Sequence, residues 1–220
     1  TGLDWALNQH NTYKKEYATD AHSIKLEGTF EYRNLRLRYG MPFRIVSRYL
    51  TDTREGITQR VQEQRFTFSP TAGISIGKFN VGYNLQTSLP EIRELLDISD
   101  TSYSLVVRKG NPDLHPAYTH ALNMGYSKNR PAHSEWLKIS ASSNIIQHEI
   151  KDAYTFDRNT SVSTYQSRNT EGNWWASANV GYGRAFDKAK RLNFSPTTVY
   201  AFAHSVGFVT DASSPTSEQL

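Results

Sequence analysis

The feature that most constrains this chain is a strict alternation of apolar and polar residues that persists for ten or more positions at a time. Between residues 66 and 76 the even positions are apolar or proline and the odd positions are polar or glycine. Between residues 35 and 45 the odd positions are all apolar. Because successive side chains of a strand point to opposite faces, each such segment predicts a β-strand with one apolar and one polar face.

The alternation changes phase at short polar turns, which predicts hairpins. Phase changes fall at residues 33–34 and 77–78, and two further turns are predicted at 128–133 and 187–190. A two-residue turn between alternating segments is typical of two antiparallel strands. The pattern therefore predicts about eight long strands arranged in four hairpins.

Strand length and loop length together favour a membrane barrel. Strands of soluble proteins average about five or six residues, whereas a strand that crosses a bilayer needs about nine to eleven. The tight turns alternate with long polar segments near 50–64, 88–117 and 147–161. We therefore predict an all-β, antiparallel up-and-down transmembrane β-barrel segment with short periplasmic turns and long extracellular loops. A soluble all-β binding module, whose strands would alternate around an ordinary core, is the alternative.

Composition excludes several other classes of protein. No apolar run approaches the roughly 18 residues of a membrane-spanning helix, and the chain has no cysteine for a disulfide framework or thiolate site. The net charge is only +4, from 25 Lys and Arg against 21 Asp and Glu. The alternation also places aromatic and basic residues on opposite faces, whereas single-strand nucleic-acid binding needs them on one surface. We expect no nucleic-acid partner.

Catalytic and metal-binding patterns are also missing from the sequence. The seven histidines show no paired ligand spacing, and no segment has the form of a nucleophile elbow, a glycine-rich phosphate loop or a calcium loop. We therefore expect that the chain is not an enzyme, and we expect no cofactor and no metal.

Three motifs resemble those of one family when they are read in chain order. They are FTFSPTAGI at 66–74, NLQTSLP at 84–90 and GNPDLHP at 110–116. Together with the strand pair at 24–39 they resemble the barrel region of the TonB-dependent outer-membrane receptors and transporters, over roughly residues 20 to 205. The most recognisable of these is the third motif, called here the signature. Its residues are Gly110, Asn111, Pro112, Asp113, Leu114 and Pro116.

This resemblance implies a location in the outer membrane and contact with its lipid. It also implies a plug domain within the same full-length protein, a TonB-type energy-coupling partner reached through residues outside this chain, and uptake of a nutrient such as a siderophore or a glycan. Residues 1–220 are predicted to be a single segment of a larger barrel, rather than a complete eight-stranded barrel. Ala117 and Leu89 stand where the family usually has an acidic residue and an arginine.

The polar face of the segment at 36–48 carries candidate lumen-facing residues. Guanidinium groups in a lumen could pair with carboxylates of a plug domain or attract an anionic ligand. Alternatively they are solvated wall residues balanced by acidic residues of neighbouring strands. The candidates are Arg36, Arg38, Arg44 and Arg48. The candidates for ligand contact in the loop near 50–64 are Arg54, Glu55, Arg60 and Glu63.

Aromatic residues near the predicted strand ends are candidates for a girdle at the headgroup level of a membrane, or else for ordinary core positions. They are Tyr32, Tyr39, Tyr49, Tyr83, Tyr126, Trp136, Trp174, Trp175 and Phe186.

Overall fold

The computed structural model describes residues 13–54, 57–97, 99–103, 105–131, 134–187, 191–211 and 218–219. These residues form strands, turns and one short 3-10 helix at Ile92–Leu95. None of the helical residues described makes a helix that could cross a membrane. The strands are β1 (Tyr13–Tyr32), β2 (Leu35–Arg54), β3 (Ile57–Phe68), β4 (Thr71–Ile76), β5 (Phe79–Ser88), β6 (Ser99–Tyr103), β7 (Val106–Lys109), β8 (Ala117–Arg130), β9 (Glu135–Gln147), β10 (Glu149–Asp157), β11 (Val162–Thr170), β12 (Asn173–Ala185), β13 (Asn193–Phe194), β14 (Thr197–His204), β15 (Phe208–Asp211) and β16 (Glu218–Gln219).

The larger sheet is an antiparallel meander. Its order is β1, β2, β4, β5, β8, β9 and β12, with β3 continuing β4 along β2 and with β13 and β14 both along β12. This arrangement gives eight strand positions, and every neighbouring pair is antiparallel. The prediction of about eight antiparallel strands is therefore confirmed.

The segment at 66–76, predicted as one strand, is split between β3 and β4. Pro42 of β2 and Pro70 lie close to one another at the break, and neither residue has an amide proton to donate. The register does not shift across the break, because Phe43 faces Phe68 on one side and Gly40 faces Thr71 on the other. The two strands therefore act as one crossing segment.

The register places residues of like polarity in rows across the sheet. Directly opposed residues of adjacent strands share a face, so a row can be followed through all eight positions. The central apolar row is Phe30, Leu37, Ile74, Val81, Met124, Ala141, Ala178 and Tyr200. The adjacent row on the other face is Glu31, Arg36, Ser75, Asn80, Gly125, Ser140, Asn179 and Val199.

The apolar face does not pack against a core formed by the described residues. Phe30 is 56% exposed and Phe202 is 63% exposed, whereas the buried hydrophobic cluster is limited to Leu50, Ile92 and Leu96. On β2 the apolar positions run from residue 35 to 45, which is about 34 Å along a strand at about 3.4 Å per residue. A tilt of about 40° reduces this to about 26 Å in height, close to the lipid-facing band of outer-membrane barrels.

The two ends of the sheet differ as the sequence predicts. Tight turns lie at one end, where Arg33 and Gly77 have φ values of 52° and 57°. In the last of these turns the Leu192 amide donates to Asp187 Oδ1 at 2.8 Å. That hydrogen bond, together with one from Arg191, lowers the pKa of the Asp187 carboxyl.

The connections at the opposite end are more regular than predicted. The segment at 50–64 is not an irregular loop, because β2 extends to Arg54 and β3 begins at Ile57. The connections at 89–116 and 148–172 and the segment after β14 contribute strands of two to nine residues to a second sheet, in the order β16, β15, β10, β11, β7, β6. Two of its pairings are parallel, β10 with β15 and β11 with β7. This second sheet is called here the loop sheet.

Most of the predicted girdle aromatics lie on the apolar face, with two exceptions. At the turn end, the rings of Phe79 and Tyr126 lie 4.6 Å apart. Trp175, by contrast, is opposite Asn144 and lies on the polar face. Trp136 is opposite Gly183 on that face, and its ring lies so close that a Cβ on Gly183 would be 2.1 Å from Trp136 Nε1. The girdle interpretation is therefore wrong for Trp136 and Trp175.

Candidate functional site

All four candidate arginines lie on the polar face of β2, but their surroundings differ. Arg36 Nε forms a half-exposed ion pair with Glu31 Oε1 at 2.6 Å. Arg38 is opposite Thr29 on β1 and Gly73 on β4. Arg44 is opposite Ser23 on β1 and Thr67 on β3. Among the described residues neither Arg38 nor Arg44 has a carboxylate partner.

The guanidinium of Arg48 is part of a buried cluster instead. Its Nη2 forms an ion pair with Glu63 Oε1, and its Nη1 donates to the Pro90 carbonyl at 2.8 Å. Arg65 Nε donates to the second oxygen of Glu63 at 3.0 Å. Both Arg48 and Glu63 side chains are only 10% exposed. These contacts join the β2–β3 hairpin to the connection at 89–116.

An apolar contact supports the same junction. Leu50 of β2 is fully buried against Ile92 and Leu96 of the 3-10 helix region, and Val61 of β3 packs on this cluster. Leu50 and Val61 are opposed in the hairpin and lie on the polar face. The connection at 89–116 therefore folds back over the polar face of the sheet, beyond the end of the apolar band.

The four loop candidates are not brought together. The Arg54 side chain and Glu55 lie outside the described residues. Arg60 lies on the outward face, with its guanidinium 5.7 Å from the centre of the Tyr49 ring. Glu63 is held by the two arginines of the buried cluster. A role for these residues in ligand contact stays a prediction.

The signature at 110–116 links the connection at 89–116 to the loop sheet. Asn111 Nδ2 donates to the Ser167 carbonyl at 2.9 Å, and Asn111 Oδ1 accepts the Asp113 amide at 3.1 Å. Leu114 is 1% exposed. A Cβ on Gly110 would lie 1.6 Å from the Leu96 carbonyl oxygen, so only glycine fits there.

Two further side chains tie three chain segments together. Asn169 Oδ1 accepts the His115 amide at 2.8 Å, and its Nδ2 donates to the carbonyls of His115 and His148 at 2.9 and 2.7 Å. Ser167 Oγ lies 2.7 Å from Glu94 Oε1 and 3.1 Å from Asp152 Oδ1. Nothing in the three motifs of the sequence indicates that Asn169, Ser167 or Glu94 take part.

Substitution of Gly110 tests this assembly. We expect Gly110→Ala to force the Leu96 backbone away at a cost of at least about 1.5 kcal/mol, in the range of overpacking. Because proteolysis follows the population of the open form, cleavage within 89–116 should become about tenfold faster or more. Gly207→Ala is the control, since a Cβ there meets nothing within 4 Å. Equal cleavage rates for the two variants would contradict the assignment.

The comparisons with known proteins agree with this architecture. The model of the outer membrane protein beta-barrel family matches residues 4–217. The chain belongs to the outer membrane protein beta-barrel family. No curated protein matches it. Among solved structures it is similar to a chain named copper transporter OprC, with a TM-score of 0.52 and 16% sequence identity. The likeness covers 85% of this chain but 29% of that chain, so this chain spans less than a third of the transporter's length.

Family membership places the chain in the outer membrane, as predicted. The exposed apolar rows are then the lipid-facing surface and the polar face is the luminal wall. The chain is a barrel protein and not an enzyme, and the alternative of a soluble binding module is wrong. Among the described residues, no group of three or more His, Asp or Glu has the geometry to hold a metal ion.

Proposed function

We propose that this chain is part of the barrel of a TonB-dependent receptor-like protein that binds a nutrient at the cell surface and takes it up through a plugged lumen. The observation that carries the proposal is the signature, whose contacts fasten the connection at 89–116 to the loop sheet. Loops joined in this way offer a fixed surface for ligand capture at the mouth of the barrel. A siderophore or a glycan is the class of ligand that we expect.

The open edges of the larger sheet support a plug-filled lumen. Within the described residues β1 pairs only with β2, and β14 pairs only with β12. Unpaired strand edges are not tolerated in hydrocarbon, and we propose that further strands of the full-length protein continue this sheet. Side chains fill the interior of an eight-stranded barrel, whereas the largest transporter barrels hold a plug. The likeness to a much longer transporter chain is consistent with this larger barrel.

Ligand uptake by whole cells tests the proposal. Cells that produce the full-length protein would be given radiolabelled ferric siderophores and labelled oligosaccharides, with and without the energy-coupling protein. We expect saturable binding of one of these probes in both strains, and accumulation only where the coupling protein is present. Passive, non-saturable entry that does not depend on the coupling protein would overturn the proposal.

Substitution of Arg38 and Arg44 tests whether a plug domain is their partner inside the lumen. We propose that they pair with carboxylates of the plug domain, because neither has a carboxylate partner among the described residues while Arg36 has Glu31. The double variant Arg38→Gln, Arg44→Gln of the full-length protein should then hold its plug less tightly. We expect a severalfold rise in ion conductance across planar lipid bilayers. Arg60→Gln, on the outward face, is the control, and an unchanged conductance of the double variant would contradict the pairing.

A further inference from the structure

The lipid-facing surface contains a depression floored by four small residues. Ala141 and Ser143 on β9 are directly opposite Ala178 and Ala176 on β12. All four lie on the apolar face, since Ala141 and Ala178 belong to the central apolar row and the other two lie two positions along the same strands. The floor is therefore two strands wide and two side chains long.

Larger side chains surround this floor on every side. On the flanking strands the walls are Leu122 and Met124 of β8 and Phe202 of β14, and Tyr200 of β14 is opposite Ala178. Along the strands the next residues of the same face are Ile139 and Val180 at one end and Ile145 and Trp174 at the other. The depression, called here the Ala/Ser depression, has a volume of about 320 Å³.

Other small residues of the apolar face do not open a comparable space in the part of the chain that the structure describes. Gly28 is covered by the ring of Tyr39, which lies 2.5 Å from where a Cβ would be. Ala72 is a single small residue directly between Tyr39 and Tyr83. A floor of four adjacent small residues is a distinct feature of the β9–β12 pair.

The position of the Ala/Ser depression across the membrane indicates what fills it. From the turn end, β9 has five successive positions on the lipid-facing side. They are Leu137, Ile139, Ala141, Ser143 and Ile145. The floor residues occupy the third and fourth of these, near the middle of the apolar band. In a bilayer with a hydrocarbon core of about 30 Å, the middle of the band is where the ends of the acyl chains from the two leaflets meet.

We propose that the Ala/Ser depression binds the terminal segment of an acyl chain of an outer-membrane lipid. It is continuous with the surface that faces hydrocarbon, and its lining carries no charged side chain. A transmembrane helix about 10–12 Å across does not fit, because the walls stand on strands only about 14 Å apart and their side chains narrow the gap. An acyl chain end fills the space and restores contacts that an empty depression would lose.

Photo-crosslinking tests the proposal on the full-length protein in phosphatidylcholine vesicles. One probe is a phosphatidylcholine with a diazirine at the end of one acyl chain, and a second carries the diazirine near the headgroup. We expect the chain-end probe to label peptides containing Met124, Ala141–Ser143 or Ala176–Ala178 at least threefold more than other lipid-facing peptides. The headgroup-end probe should show no such preference.

Filling the depression provides the matched control. Ala176→Leu places a larger side chain on the floor, whereas Ala72→Leu makes the same change in the same row, away from the depression. We expect Ala176→Leu to remove the preferential labelling and Ala72→Leu to leave it unchanged. Heat-modifiable migration on gels shows that each variant is folded, and Ser143→Leu replaces Ala176→Leu if that variant fails to fold.

Three results would overturn the proposal. Chain-end labelling could be spread evenly over the lipid-facing strands, or could persist in folded Ala176→Leu. Alternatively, a diazirine side chain built in at position 141 could crosslink mainly to a second copy of the protein, which would show that protein and not lipid covers the depression.

Discussion

Val81→Arg is expected to destabilise the folded barrel by about 2–4 kcal/mol, the range for a cation at the bilayer midplane of an outer-membrane barrel. Val81 belongs to the central apolar row, between Ile74 and Met124. The introduced guanidinium would lie in hydrocarbon with no polar neighbour in its row. Leu37→Arg, in the same row on β2, should behave similarly.

The neighbouring residue supplies the control. Asn80 precedes Val81 on β5 and lies on the luminal wall, opposite Ser75 and Gly125. Asn80→Arg should change stability by less than about 1 kcal/mol, because the new charge remains in water. Reversible unfolding by guanidinium in phospholipid vesicles measures both. Equal costs at positions 80 and 81 would mean that the two faces meet the same medium, and the assignment of faces would be wrong.

The local part of this architecture follows from the sequence because it depends only on strand geometry. A period of two assigns each residue to a face without knowledge of its neighbours, so the row from Phe30 to Tyr200 could be anticipated strand by strand. Aromatics were harder to place by position in the chain alone. Trp174 and Trp175 are adjacent in sequence, and only their parity along β12 separates the lipid-facing ring from the luminal one.

The loop sheet could not be predicted, because its pairings join distant segments. β7 pairs in parallel with β11, and β10 pairs in parallel with β15. Two of these strands, β7 and β15, have only four residues each, too few for a periodic pattern. The side chains that hold these segments together, such as Asn111 and Asn169, bond backbone groups more than 50 positions away.

The buried pair of Arg48 and Glu63 is intermediate between the strand faces, which the sequence predicts, and the loop sheet, which it does not predict. In the β2–β3 hairpin Arg54 is opposite Ile57, and the same register brings Arg48 opposite Glu63. The pairing therefore follows from the register once β2 and β3 are known to be adjacent. The polar composition of the segment at 50–64 predicts a loop, whereas the strands extend beyond the apolar band.

Removing the carboxylate of this pair is the second large effect that we expect. In Glu63→Ala, Arg48 would keep only the Pro90 carbonyl as a hydrogen-bond partner among the described residues, at a site where its side chain is 10% exposed. Breaking a buried ion pair by removing one partner costs about 3–5 kcal/mol. Arg65 would also lose its partner, but it is more exposed and is expected to contribute little.

The exposed luminal pair of Arg36 and Glu31 supplies the comparison. Both of its side chains are more than half exposed, so Glu31→Ala should cost less than about 1 kcal/mol. Hydrogen exchange of the full-length protein would show where stability is lost. In Glu63→Ala we expect protection to fall in the β2–β3 hairpin beyond Ile45 and at the 3-10 helix Ile92–Leu95, and to remain along the lipid-facing parts of β2 and β4.

A double substitution separates the loss of charge pairing from the loss of packing. Arg48→Met, Glu63→Met replaces both buried ions by apolar side chains of similar length, and such replacements of buried pairs are often neutral or stabilising. The double variant should therefore recover most of the stability that Glu63→Ala loses. If it is instead as unstable as Glu63→Ala, the carboxylate does not act by neutralising a buried guanidinium. The connection at 89–116 would then be held to the hairpin by the contacts of Leu50 with Ile92 and Leu96 and by the hydrogen bond from Gln59 Nε2 to the Asp97 carbonyl.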